Sequence, residues 1–74
     1  MKLPRITGDE VVRALKRGGF IFDRQRGSHV ILVHPQRHKR VSVPVHAGKT
    51  VKLGTLSGIL DDAGLSPEEF TQLL

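Results

Sequence analysis

The chain has 74 residues, no cysteine, a formal net charge of +5 and a sequence pI of about 10.5. That length holds one small domain, expected over residues 1–74, and the absence of cysteine excludes disulfides and thiolate metal ligands. All 12 Lys/Arg lie within residues 1–53, which balance at +9 against −4 for residues 54–74, so an anionic partner is expected at the front of the chain.

The opening Met1-Lys2-Leu3-Pro4-Arg5 is followed by no apolar h-region, so no signal peptide is expected. Thr7-Gly-Asp-Glu10 has the form of a capping box, with Thr7 as N-cap and Glu10 three residues on. It predicts a helix to about Arg17 with Val11, Val12 and Leu15 as its apolar stripe. Gly18-Gly19 stops that helix, because glycine takes the left-handed C-cap conformation cheaply.

Phe20 to Gln25 reads as a first strand, with Phe20 and Phe22 on one face and Ile21 and Asp23 on the other. Arg26-Gly-Ser reads as a hairpin turn, and His29 to His34 as a second, β-branched strand. His29, Ile31 and Val33 share one face of it, and Val30, Leu32 and His34 the other; the pattern leaves open which face meets the helices. The aliphatic run Val30 to Val33 is far too short to span a bilayer, so a cytoplasmic protein without a membrane partner is expected. After a basic connection, Arg40 to Val45 alternates as a third strand, which Pro44 marks as an edge. His46 to Leu53 is a loop. Leu56, Ile59, Leu60 and Ala63 then predict an amphipathic helix over Thr55–Ala63, with Gly58 in its interior as a point of close packing and Gly64 as its stop. Ser66-Pro-Glu-Glu69 is a second capping box opening a short last helix with Phe70, Leu73 and Leu74 on one side.

The order α-β-β-β-α-α predicts an α+β fold: a three-stranded antiparallel meander with helices on one face and the other face open. His29 falls where a turn becomes a strand, a place in which a titratable side chain is accessible yet rigidly held. Such a histidine serves either proton transfer or merely a polar strand end.

Leu15-Lys-Arg-Gly-Gly-Phe20, Arg26-Gly-Ser-His29, Val43-Pro-Val-His46, Gly54-Thr-Leu-x-x-Ile-Leu60 and Ala63-Gly-Leu-Ser66 follow in order along nearly the whole chain. In these motifs the chain resembles the HicA-type (YcfA-like) toxins, small mRNA interferases of toxin–antitoxin pairs. The resemblance implies a double-stranded-RNA-binding-domain-like fold, α-β-β-β-α, with the last short helix added. It also implies RNA cleavage through the histidine of the Gly-Ser-His segment, here His29, and inhibition by a HicB-type antitoxin.

Cleavage of RNA needs no metal or other cofactor, because the ribose 2′-hydroxyl is a built-in nucleophile. It needs a base, an acid and positive charge for the developing phosphorane; imidazole suits the first two and guanidinium the third. His29 is thus the expected general base or acid, with Ser28 as an auxiliary that orients the phosphate or the ring. Arg24 and Arg26 are expected to hold the RNA backbone, and Lys16, Arg17, Lys39, Arg40 and Lys49 to extend the binding surface. His34 is expected to be structural or at the core edge, and His38 solvated. His46 either terminates the third strand or supplies the second proton-transfer group. His34-x3-His38 has zinc-like spacing but neither cysteine nor a clustered carboxylate beside it, so no metal site is expected. The alternatives to a nuclease are a non-catalytic module recognising duplex RNA by shape and a protein-interaction domain using Ile31 and Val33.

Overall fold

The first helix is set by a reciprocal cap. The Glu10 N–H donates to Thr7 Oγ1 at 3.3 Å, and the Thr7 N–H donates to Glu10 Oε1 at 3.0 Å. From this start α1 runs over Gly8–Arg17 and buries Val11, Ala14 and Leu15. It ends in a Schellman arrangement: the Gly19 N–H donates to the Lys16 carbonyl, the Phe20 N–H to the Leu15 carbonyl, and Gly19 takes φ +99°. The computed structural model describes residues 3–74. Met1 and Lys2, the head of the segment read for a signal peptide, lie outside the described residues.

The Phe20 amide is spent on closing α1, so β1 covers Ile21–Arg26, one residue later than the pattern predicted. β2 covers His29–His34 and β3 Lys39–Pro44, in an antiparallel sheet of order β1-β2-β3. β3 also lies one residue from the expected Arg40–Val45: Lys39 pairs with His34 at one end, and at the other the Val45 amide bonds the Ser28 carbonyl in the turn, one step beyond the last residue of β2. α2 covers Leu53–Ala63, beginning two residues before the expected Thr55, and α3 covers Pro67–Gln72 behind the second capping box. The architecture is the expected α+β one: α-β-β-β-α of the double-stranded-RNA-binding-domain type, with a C-terminal helix added.

The Leu32 face of β2 meets the helices. Val11, Leu15, Phe20, Leu32, Val41, Val43, Leu56, Leu60 and Phe70 form one cluster, all nearly or fully excluded from solvent. His34 belongs to this side: it is 7 % exposed, its Nδ1 accepts the Arg37 N–H at 3.2 Å, and its ring stands edge-on to Phe20 at 5.1 Å. That is the core-edge role expected for it.

The helices pack over the β2–β3 side, leaving β1 in contact chiefly with β2. Every β1 residue is therefore exposed, and Phe22, expected on the same face as Phe20, reaches solvent whereas Phe20 is buried. A register shift between Phe22 and Arg24 adds to the departure, inserting one residue into the edge strand. Gly58 also differs from its reading: a β-carbon there would meet nothing within 4 Å, so it is a solvent-facing position and not a packing contact.

Candidate active site

The face carrying His29 is the open one. Along it, Arg26, His29 and Pro44 form one cross-strand row, Arg24, Ile31 and Ser42 the next, and Ile21, Val33 and Arg40 the third. Ile31 is only 6 % exposed despite lying outside the main core cluster, flanked in register by Arg24 and Ser42. The large apolar side chains that reach solvent on the sheet are instead Ile21 and Phe22, at 52 % and 48 %.

His29 is held by a tight hairpin. Arg26 and His29 pair across a two-residue turn in which Gly27 has φ +55° and Ser28 has no positive φ, the pattern of a type II′ turn. Gln25 Nε2 donates to the Gly27 carbonyl at 3.1 Å and braces the turn. The Ser28 carbonyl accepts the Val45 N–H at 2.7 Å, tying the end of β3 to the residue before His29.

The chain then turns over His46–Lys49, where the Lys49 N–H donates to the His46 carbonyl at 3.0 Å and Gly48 adopts φ +72°. It is anchored again where Thr50 bridges to Thr7 and the Val51 N–H donates to the Ile6 carbonyl at 2.8 Å. This loop and the end of the sheet enclose a cleft of about 400 Å³ lined by His29, Pro44, His46, Lys49, Lys52 and Thr55, among others. Among the described residues no carboxylate lines it. Lys52 sits at the N-cap of α2 with no side-chain capping bond, so the helix end adds its own positive partial charge to that of the two lysines.

The expected cationic residues divide by position. Arg26 and Lys49 lie at the His29 end, and Arg24 and Arg40 lie on the open face, with Arg24 3.5 Å from the Asp23 carboxylate. Lys39 pairs with His34 at the opposite end, five residues along β2 from His29, or about 17 Å at strand rise. Lys16 and Arg17 close α1, next to the start of β1 at that far end. Arg17 donates to the Leu73 carbonyl at 2.9 Å, bracing the end of α3. Lys52 and Thr55 line the cleft yet escaped the sequence reading. The signal for them was positional: Lys52 immediately precedes a helix that the pattern started two residues too late. His38 is exposed and has φ +54°. Among the described residues, no three His, Cys, Asp or Glu side chains come together as a metal-binding group.

Fold and site together define a small α+β protein of the double-stranded-RNA-binding-domain type, with a histidine at the mouth of a cationic cleft. Over residues 8–65, which include His29 and every residue of the cleft, the chain matches the family model described as HicA toxin of bacterial toxin-antitoxin, and it belongs to that family. It is the toxin of a toxin–antitoxin system, and an antitoxin is its partner. No curated protein matches the chain. Among the described residues no helix is long and apolar enough to cross a membrane.

Proposed function

We propose that residues 1–74 form a single HicA-like domain acting in the cytoplasm as an endoribonuclease, an mRNA interferase. It cleaves RNA by metal-independent acid–base chemistry at His29 and is blocked by a HicB-type antitoxin. The observation that carries this reading is the placement of an exposed histidine on a rigid hairpin, at the mouth of a cleft whose charged groups are all cationic.

In this reaction the ribose 2′-oxygen attacks the adjacent phosphorus while its proton passes to a base. The P–O5′ bond breaks, and the 5′-oxygen leaves with a proton from an acid. The products are a 2′,3′-cyclic phosphate and a 5′-hydroxyl. His29 performs one of the two proton transfers. Arg26, its neighbour in register, and Lys49 across the cleft stabilise the charge that grows on the phosphorane oxygens. Ser28 orients the phosphate or the ring, and Arg24 and Arg40 carry the flanking strand along the open face. Lys16, Arg17 and Lys39, at the far end of the sheet, contribute long-range attraction.

Exposed Ile21, in the third row of the open face, favours a protein partner there as well, and an antitoxin seated on that face would cover both this apolar edge and the site. The reading is tested on the purified protein with mixed-sequence RNA in EDTA. Cleavage products ending in 2′,3′-cyclic phosphate are expected. Products with 3′-hydroxyl and 5′-phosphate ends, or activity abolished by chelation, would overturn the metal-independent mechanism.

A further inference from the structure

We infer that His46 is a second catalytic residue, forming with His29 the acid–base pair of the cleavage reaction. The inference rests on the nuclease reading and extends it to the group that reading leaves unnamed.

A 2′-oxygen attack with loss of the 5′-oxygen moves two protons, one off the nucleophile and one onto the leaving group. A single histidine serves both only by turning over between the two events. Among the described residues, the cleft is lined by four titratable side chains, His29, His46, Lys49 and Lys52, and no carboxylate. An ordinary ammonium titrates near about 10.4 and imidazole near about 6.5, so imidazole is the group that both gives and takes protons at neutral pH. Among the described residues, His46 is the one other imidazole that lines the cleft with His29.

Its placement is built and not incidental. Pro44 lies opposite His29 in register, and His29, Pro44 and His46 line the same cleft, which puts position 46 on the His29 side. The Val45–Ser28 hydrogen bond fixes the backbone immediately before His46 to the backbone immediately before His29. The His46–Lys49 turn and the Val51–Ile6 hydrogen bond fix the far end of the loop. Gly8 packs against Pro44 and Val45 so closely that a β-carbon there would collide with the Pro44 carbonyl, which clamps the same corner from the α1 side. The groups facing the pair are cationic: Arg26 beside His29 on the hairpin, Lys49 on the loop and Lys52 at the start of α2. They hold the phosphate between the two rings and stabilise its transition-state charge. One neutral imidazole accepts the 2′-proton, the protonated partner donates to the 5′-oxygen, and hydrolysis of the cyclic product in the reverse roles restores both.

The test compares wild type, His29→Ala and His46→Ala on mixed-sequence RNA and on the same RNA carrying a bridging 5′-phosphorothiolate, whose sulfur leaves without an acid. His46 is exposed in a loop, and thermal melting checks that the variant folds like the wild type. Each variant is expected to lose about 10²–10⁴-fold in single-turnover rate on ordinary RNA. Each is expected to lose one limb of the bell-shaped pH–rate profile. One of the two, the variant lacking the acid, is expected to regain a rate within about tenfold of wild type on the sulfur substrate, as acid catalysis alone accounts for its deficit. A His46→Ala rate within about threefold of wild type would overturn the pair while leaving the nuclease reading in place. So would a slowed His46→Ala enzyme with both limbs intact and no rescue in either variant. Wild-type protein inert on both substrates would overturn the nuclease reading itself, and the pair with it.

Discussion

The Val45 amide donates to the Ser28 carbonyl at 2.7 Å, beyond the last paired residues of β2 and β3. Because these two residues directly precede His46 and His29, one backbone hydrogen bond sets the relative positions of the two segments that form the cleft. Val45→Pro removes the donor while keeping an extended backbone. It is expected to lower stability by about 1 kcal/mol and single-turnover cleavage at least about tenfold, with RNA affinity little changed. Denaturant melts and filter binding beside the rate assay check this.

Arg26 and Arg17 were both expected on the RNA surface, yet they sit at opposite ends of the sheet with different partners. Arg26 pairs with His29, whereas Arg17 donates to the Leu73 carbonyl. Arg26→Ala is expected to weaken RNA binding and reduce the slope of log K against log salt by about 1. Arg17→Ala is expected to leave that slope nearly unchanged. Salt titrations of binding separate the two, and equal losses of slope would contradict the division of the cationic surface.

The two capping boxes are expected to make the fold sensitive to acid. The Glu10 carboxylate accepts from the Thr7 amide and hydroxyl, with Arg13 nearby, and lies below its ordinary value of 4.5. The Glu69 carboxylate is lowered in the same way by the Ser66 amide and hydroxyl, with Arg37 nearby. A carboxyl held low in the folded state stabilises it fully above the unfolded value and loses that contribution as pH falls through the folded one. Gln retains the accepting oxygen of a capping box without titrating. Glu10→Gln with Glu69→Gln should therefore flatten the fall in melting temperature between about pH 5 and pH 3. An unchanged acid limb would place the sensitivity elsewhere.

The two capping boxes, the glycine helix stops, the order of elements and the open sheet face were legible in the chain because each depends on residues close in sequence. The exposure of Phe22 was not, since it depends on how far the helices reach across the sheet and on a bulge that no local pattern marks. The one-residue offset of β1 had a local cause, the Phe20 amide committed to the Leu15 carbonyl, but strand alternation alone does not reveal it. The position of His29, where a turn becomes a strand, was legible from the local residues. The approach of His46, Lys52 and Thr55 required the β2–β3 register and the anchoring of Val51 by Ile6, which are long-range facts.

Two glycines make opposite predictions about stability. Gly58 is exposed within α2, and a β-carbon there meets nothing within 4 Å. Gly58→Ala is expected to stabilise by about 0.5–1 kcal/mol through helix propensity and reduced unfolded-state freedom. Gly8 lies buried where α1 meets Pro44 and Val45, so Gly8→Ala forces the helix and β3 apart and is expected to destabilise by about 1–3 kcal/mol. Urea denaturation of both variants checks the pair of signs.

Proton transfer by His29 in RNA cleavage is read from the single-turnover rate of His29→Ala against wild type in EDTA. His29 is exposed at a strand end, so the variant should fold with an unchanged melting temperature and bind RNA with similar affinity. The rate is expected to fall by at least about 10²-fold. A folded His29→Ala protein that cleaves RNA at the wild-type rate would contradict proton transfer by His29.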